Sequence, residues 1–119
     1  MVNFAQSLAE SLALGRKGGL DYGLMLDTLA QSTMASPWLK VKAQLLKQRD
    51  FTTTMSTRLI LKDIDLMLDA ARGSGVPMPL TAMTRQLLQV VAGEGYAEED
   101  FINSVRVAEK QSGLSTGKV

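Results

Sequence analysis

The fold class is decided by the stretch MSTRLILKDIDLMLDAA, which runs from Met55 to Ala71. It contains no Gly or Pro, and its apolar residues recur at the spacing of one helical face, at Leu61, Ile64, Leu68 and Ala71. This pattern predicts a helix with one buried side. Lys62, Asp65 and Asp69 fall on the opposite side, so one ammonium group lies beside two carboxylates.

The same periodicity predicts five more helices, over residues 2–17, 21–32, 37–48, 81–92 and 97–111, the fifth helix of the chain starting at 79 or 81. The residues expected to face inward on the later ones are Leu24, Met25, Thr28 and Leu29, then Trp38, Val41, Leu45 and Leu46, then Met83, Leu87, Leu88 and Val91, and finally Phe101, Val105 and Ala108. No segment alternates cleanly as a strand does. We therefore predict an all-α bundle of about six helices.

Several helix ends carry recognisable signals. Gly18-Gly19 ends the first helix, and Asp21 and Ser36, the latter followed by Pro37, are the expected N-caps of the next two. The segment 73–79 is rich in Gly and Pro and predicts a loop. The acidic run Glu98-Glu99-Asp100 is expected to form a solvated first turn that complements the helix dipole, with a cation site as the less favoured alternative.

At 119 residues the chain suits one domain, predicted to span residues 1–112 and to be followed by a frayed tail, 113–119. Residue 1 lies inside the apolar pattern with no capping residue before it. We expect the first helix to extend further toward the N-terminus in a longer protein, and Phe4 and Leu8 to need cover from a partner.

Composition excludes several classes of function. Thirteen Lys and Arg against twelve Asp and Glu leave a charge of +1, too little for a nucleic-acid binder. The chain has no Cys and no His, so thiolate and imidazole chemistry are excluded, and no metal site is predicted. No apolar run approaches the roughly 18 to 20 residues of a membrane span, so we expect a cytoplasmic protein that does not bind membranes.

Trp38, the methionines and Lys62 could each serve either in packing or in a functional site. Trp38 is predicted to pack in the core or an interface rather than to serve as a ligand platform, and the methionines to fill the core. Lys62 either pairs with Asp65 on a solvated face or projects its ammonium group into a cleft, where it meets a carboxylate, hydroxyl or phosphate. Periodicity and composition leave both readings of Lys62 open.

A family resemblance bears on that choice. The run Lys62-Asp63-Ile64-Asp65-Leu66-Met67-Leu68-Asp69 resembles the Lys-Asp-Leu-Gly-x-Ala-x-Asp signature of the β-hydroxyacid dehydrogenases, the family of 3-hydroxyisobutyrate dehydrogenase and tartronate semialdehyde reductase; Lys and both Asp match, Gly and Ala do not. Four more stretches are similar in the same order: 9–14 leading to 18–21, Asp50-Phe51, 77–80 and 93–101.

The resemblance implies the helical C-terminal domain of such an enzyme, with the fold of the 6-phosphogluconate dehydrogenase C-terminal domain. It implies that Lys62 contacts NAD or NADP and that Asp63 lies at the substrate and cofactor cleft. Met55 stands in that cleft where the family commonly has Phe against the nicotinamide, and Asp69 matches the last signature position. The family's catalytic lysine would fall before Met1, so no catalytic residue is assigned.

Two hypotheses of different class follow. The first is that the chain is the cleft and oligomerisation domain of an NAD(P)-dependent dehydrogenase of a small 2- or 3-hydroxy acid, inactive without its N-terminal Rossmann domain. The alternative is a free-standing, non-catalytic helical scaffold that kept the fold. In either case we expect a homodimer or higher homo-oligomer through helical faces.

Overall fold

The computed structural model describes residues 1–117, which form an all-α bundle. Its helices are α1 (Val2–Lys17), α2 (Tyr22–Gln31), α3 (Pro37–Lys47), α4 (Thr57–Ser74), α5 (Pro79–Val91) and α6 (Ser104–Gln111). A π-helical turn (Ala92–Tyr96) and a 3₁₀ turn (Phe101–Asn103) lie between α5 and α6. The predicted fold class is confirmed.

Helix α1 lies at the centre of the bundle and packs against α2, α5 and α6, while α2 pairs with α3 and α4 with α5. Ala5 and Ala9 on α1 are fully buried, and their small side chains let neighbouring helices approach closely. The core is filled by large apolar residues, each contributing about 1.5–3 kcal/mol on burial; they include Leu12, Leu26, Leu39, Leu46, Ile64, Leu88 and Val105. Across residues 1–117 no helix has the length and apolar character needed to cross a bilayer.

The predicted caps of α2 and α3 are confirmed. Leu24 N–H donates to Asp21 Oδ1 at 2.7 Å, and Leu39 N–H donates to Ser36 Oγ at 3.1 Å. Helix α4 has a cap that the sequence reading did not single out, Ser56, whose Oγ accepts from Leu59 N–H at 3.3 Å. Each cap satisfies a backbone donor that the first helical turn leaves without a partner.

Four residues expected to face inward are exposed instead, and one of them is Thr28 on α2. Leu24, Val41 and Met83 are 65%, 58% and 60% exposed. The buried positions of their helices are taken by other residues: Tyr22 and Leu26 on α2, Lys42 on α3, and Thr81 and Thr84 on α5. The spacing of apolar residues does not predict the burial of Lys42, Thr81 and Thr84, because the burial of a polar side chain depends on contacts with other parts of the fold.

Two boundaries also differ from prediction. Helix α4 continues through Ser74 and ends at Gly75, whose φ of 70° is left-handed, so the expected loop begins later. The last predicted helix starts later than expected, because α6 begins only at Ser104. Asp100 accepts from Ile102 N–H at 3.0 Å and caps a 3₁₀ turn, Phe101–Asn103, in place of the first α-helical turns.

Asp100 is buried, not solvated as the acidic run predicted. It is 0% exposed, and Lys42 Nζ lies 2.7 Å from its Oδ2. Burial alone would raise the pKa of Asp100, but hydrogen bonds from Lys42, Thr54 and Ile102 outweigh it and hold the pKa below its ordinary value. The prediction was wrong for this residue because its partner lies on a helix far away in the sequence.

A second buried carboxylate, Glu109, ties the C-terminal residues to the bundle. Arg16 and Arg49 approach its two oxygens at 2.7 Å and 2.6 Å. The same guanidinium groups donate to the backbone carbonyls of Ser115 and Thr116 at 3.0 Å and 2.6 Å. These bonds connect the backbone at Ser115 and Thr116 to the bundle. The expected frayed tail stays a prediction, and its residues 118–119 lie outside the described part of the chain.

Neither Phe4 nor Leu8 is left uncovered. Leu8 is 4% exposed, and the Phe4 ring meets Trp38 edge-on at a centroid distance of 5.9 Å. Trp38 in turn stacks on Phe101 at 6.2 Å, in agreement with a packing role. Leu8 is thus part of the core, and Phe4 is partly covered by Trp38.

Candidate functional site

The exposed side of α4 carries Lys62 between two exposed leucines. Leu59 is 44% exposed and Leu66 59% exposed, and positions 59, 62 and 66 share a face by their three- and four-residue spacing. Asp63 lies beside Lys62 and is half-buried. The face therefore presents an ammonium group and a carboxylate framed by apolar side chains.

Lys62 does not form an ion pair with Asp65, which was one of the two alternatives predicted from the sequence. Both carboxylate oxygens of Asp65 accept from Arg85 of α5, from Nε at 2.9 Å and from Nη2 at 3.0 Å. The hydrogen bond from Arg85 lowers the pKa of Asp65. Within residues 1–117 no carboxylate lies at salt-bridge distance from Lys62, so its ammonium group faces solvent.

Met55 lies just before α4 and is held through its backbone. Its carbonyl accepts from Phe101 N–H at 3.2 Å, and its own N–H approaches Asp100 Oδ2 at 3.4 Å. Its side chain is partly buried against the hydrophobic core. Met55 therefore has a defined place at the N-terminal end of the helix that carries Lys62.

The first turn of α4 has its backbone donors already occupied. Thr57 N–H donates to Glu99 O and Arg58 N–H to Ala97 O, both at 2.9 Å. A helix N-terminus binds an anion through free N–H groups, and these are taken by the segment before α6. The positive group available on this part of α4 is therefore the Lys62 side chain rather than the helix end.

The remaining acidic candidates stay at the surface. Asp69 pairs with Arg72 at 2.6 Å, and both side chains are mostly exposed. Among residues 1–117 no group of three or more acidic side chains is arranged to hold a metal ion. The chemistry of this face is therefore that of one lysine and one aspartate.

Comparison with known families identifies the chain. Residues 2–108 match the family described as the NAD-binding domain of NADP-dependent 3-hydroxyisobutyrate dehydrogenase. The chain belongs to this family. The match covers nearly all of the bundle, including α4 and the segment before α6.

Curated relatives are similar in sequence at moderate identity. A 2-(hydroxymethyl)glutarate dehydrogenase of Eubacterium barkeri is 33% identical over 110 residues, which cover 92% of this chain and 36% of that protein. An NAD-dependent L-serine dehydrogenase of Pseudomonas aeruginosa is 28% identical over 100 residues, covering 78% of this chain and 34% of that protein. The chain thus spans about a third of the length of these relatives.

A solved structure supports the fold. The crystal structure of 3-hydroxyisobutyrate dehydrogenase from Salmonella typhimurium superposes with a TM-score of 0.81 at 22% identity. The superposition covers 89% of this chain and 37% of that one. The 3-hydroxyisobutyrate dehydrogenase family binds NAD(P), and this chain has the fold of its helical part.

The residues present on α4 fit a nicotinamide cofactor of this family. Lys62 can donate to an amide, hydroxyl or phosphate oxygen of such a molecule, since it has no carboxylate partner within residues 1–117. Leu59 and Leu66 offer apolar surface on either side of the lysine. Asp63 follows Lys62 directly in the sequence and is half-buried.

Sequence reasoning missed the pair that holds this end of α4, Lys42 and Asp100. A signal was present, because Lys42 falls at a position of α3 otherwise occupied by buried residues, Leu39, Ala43 and Leu46. A lysine inside an apolar stripe needs a buried carboxylate partner. Which carboxylate it meets depends on how distant segments pack.

Proposed function

We propose that this chain is the helical wall of a cofactor and substrate cleft in an NAD(P)-dependent oxidoreductase acting on a small 2- or 3-hydroxy acid. It works with a separate dinucleotide-binding domain and contributes to oligomerisation. The family match over residues 2–108 supports the cofactor class. The coverage of about a third of each relative supports a second domain in the working enzyme.

The observation that carries the proposal is the state of Lys62. It is exposed on an apolar-framed face, and the carboxylate one turn away, Asp65, is fully engaged by Arg85. In the proposed role Lys62 donates a hydrogen bond to the nicotinamide half of the cofactor, while Asp63 and Met55 line the cleft. The cofactor, when bound, would accept hydride from a hydroxy acid in its oxidised form and donate hydride to an aldehyde acid in its reduced form. No residue of this chain is assigned as the acid or base.

The experiment joins this chain to a dinucleotide-binding domain. The N-terminal part of the Eubacterium barkeri dehydrogenase is fused ahead of residue 1, and steady-state kinetics are measured with small aldehyde acids and with NADH or NADPH. Lys62→Met is expected to raise the KM for the active cofactor about tenfold or more, the equivalent of one charge-assisted hydrogen bond. The matched control is Lys40→Met, which removes an exposed lysine on a different helix, α3, and should leave KM unchanged.

The outcomes separate the possibilities. An equal KM in the Lys62→Met and Lys40→Met fusions would remove Lys62 from the cofactor site. Substantial turnover by the isolated chain would contradict the view that the acid and base lie outside it. A folded but inactive fusion would favour the second candidate, a non-catalytic helical scaffold, for which the exposed apolar groove between α1 and α2, about 360 Å³, is the supporting observation.

Self-association and location are further parts of the proposal. Leu20 and Leu24 at the α1–α2 groove are 61% and 65% exposed, which favours a helical contact between two copies. Light scattering at high concentration should give at least a dimer mass, and a monomer mass at every concentration would contradict this. The absence of Cys suits the reducing cytoplasm, where we expect the protein to work.

A further inference from the structure

The buried pair of Lys42 and Asp100 is hydrogen-bonded to the segment that leads into α4, the helix that carries Lys62. Lys42 is 2% exposed and Asp100 is 0% exposed, so neither can contact a ligand. A buried ion pair is by itself weak evidence of stabilisation, because its desolvation cost can equal its attraction.

Asp100 accepts hydrogen bonds from several groups besides Lys42. Its Oδ2 accepts from Thr54 N–H at 3.0 Å and from Thr54 Oγ1 at 2.7 Å, and Met55 N–H approaches it at 3.4 Å. Its Oδ1 accepts from Ile102 N–H at 3.0 Å. One carboxylate therefore joins the backbone before α4 to the backbone before α6.

The two joined segments continue to pair on either side of that carboxylate. Phe101 N–H donates to Met55 O at 3.2 Å, and Thr57 N–H donates to Glu99 O at 2.9 Å. Thr53 Oγ1 donates to Glu98 O at 3.0 Å. The backbone from 53 to 58 is consequently held in register along the segment 97–101, with Asp100 at its centre.

Lys42 holds Asp100 in the ionised form that this arrangement needs. Its ammonium group donates to Asp100 Oδ2 at 2.7 Å and to Thr54 Oγ1 at 2.9 Å, so the threonine hydroxyl bridges the two charges. A protonated or amidated side chain at position 100 would have too few acceptor oxygens for these donors. The pair therefore acts on backbone geometry rather than on bulk packing.

We propose that Lys42 and Asp100 are positioning residues of the cofactor cleft, which fix Met55 and the first turn of α4 and so set where Lys62 lies. This rests on the proposed function. Lys62 is five positions beyond Thr57, roughly 7 Å along the helix, so a tilt of the first turn displaces its ammonium group. The link from the buried pair to the cleft runs through Thr54 and Met55.

The first test uses the full chain and nuclear magnetic resonance. Asp100→Asn is compared with Glu109→Gln, a matched control that removes the other fully buried carboxylate, whose bonds go to Arg16 and Arg49. Asp100→Asn should shift the Met55 methyl resonance and speed amide exchange at Thr57 and Arg58 about tenfold or more relative to α2. Glu109→Gln should lower the urea midpoint without either change.

A milder variant guards against loss of folding. Thr54 is exposed, and Thr54→Ala removes its bridging hydroxyl while leaving the charges of Lys42 and Asp100 in place. This variant should produce the same local changes as Asp100→Asn, at smaller size. If Thr54→Ala and Asp100→Asn both leave the Met55 methyl and the α4 amides as in the wild type, the positioning role is overturned.

The second test is kinetic and uses the fusion described above. Thr54→Ala and Asp100→Asn should raise the KM for the active cofactor about fivefold, because the cleft is displaced. A purely structural role would reduce the amount of folded enzyme, lowering apparent kcat and leaving KM unchanged. An active fusion with unchanged KM in both variants overturns the inference alone. An inactive wild-type fusion counts against the proposed function. In that case the nuclear magnetic resonance experiment on the full chain still tests whether the pair positions Met55.

Discussion

Asp65 accepts hydrogen bonds on both carboxylate oxygens from Arg85, at 2.9 Å and 3.0 Å, although Lys62 lies one turn away on the same helix. The pair between Asp65 of α4 and Arg85 of α5 forms in place of the Lys62–Asp65 pair that helical spacing allows. In the described part of the chain this leaves the Lys62 ammonium group facing outward. The proposed contact with a cofactor depends on that arrangement.

The titration of Asp65 should report which cation it meets. The Arg85 hydrogen bond holds the pKa of Asp65 below its ordinary value of 3.8. Arg85→Gln should return the Asp65 pKa toward 3.8, and Lys62→Gln should leave it unchanged, as followed by carboxyl-carbon resonances across an acid titration. A rise in the Lys62→Gln variant equal to that in Arg85→Gln would show that Lys62 is the effective partner.

Loss of the Glu109 carboxylate should destabilise the bundle strongly. Glu109→Gln leaves the buried guanidinium groups of Arg16 and Arg49 without their counter-charge, and breaking a buried pair in this way costs about 3–5 kcal/mol of unfolding free energy. Urea denaturation measures the loss. Asp69→Asn, which breaks the exposed pair with Arg72, is the control and should change stability little. Equal effects would contradict the structural role of Glu109.

Two nearby glycines should respond differently to the same substitution. Gly95 has φ 100°, a conformation that a Cβ strains, so Gly95→Ala should lower the unfolding free energy by about 1–2 kcal/mol. Gly93 does not have a positive φ, and a Cβ built there meets nothing within 4 Å. Gly93→Ala should therefore be neutral or slightly stabilising. Thermal melts of the two variants compare them directly, and a similar loss in both would refute the backbone explanation.

Tyr22 should make stability depend on alkaline pH. Burial is the main reason that the pKa of Tyr22 rises from 10.0 to about 12, and the charge of Glu109 adds to it, against the lowering effect of Arg49. Because the folded pKa is the higher one, the stabilising contribution is complete below pH 10.0 and is lost as pH rises toward about 12.

The measurement uses Tyr96→Phe, so that Tyr22 is the one tyrosine left of the two in the sequence. Phenolate absorbance should then titrate well above the midpoint of the urea-unfolded chain. Tyr22→Phe should remove this part of the alkaline loss of stability. A folded-state midpoint equal to the unfolded one would mean that Tyr22 is not shielded from solvent.

Much of the fold followed from local patterns. The helix that was predicted within Met55–Ala71 and forms from Thr57, the caps at Asp21 and Ser36, and the left-handed Gly19 (φ 84°) each depend on residues within a few positions of one another. Helix formation and capping are local interactions, so periodicity and cap residues predict them. The all-α class and the family resemblance were accessible for the same reason.

The orientation of the helices was less predictable. Leu24, Val41 and Met83 belong to apolar patterns, yet the bundle buries Lys42, Thr81 and Thr84 in their helices. A side chain's burial depends on what approaches it from other elements, and a single helix does not contain that information.

The sequence by itself determined where the helices form and which family the chain resembles, because both are written in short-range spacing. Only the tertiary structure decided that Arg85 takes Asp65 away from Lys62 and that Lys42 pairs with Asp100, 58 positions along the chain. Charged groups choose partners by distance and burial in the folded state, not by separation in sequence.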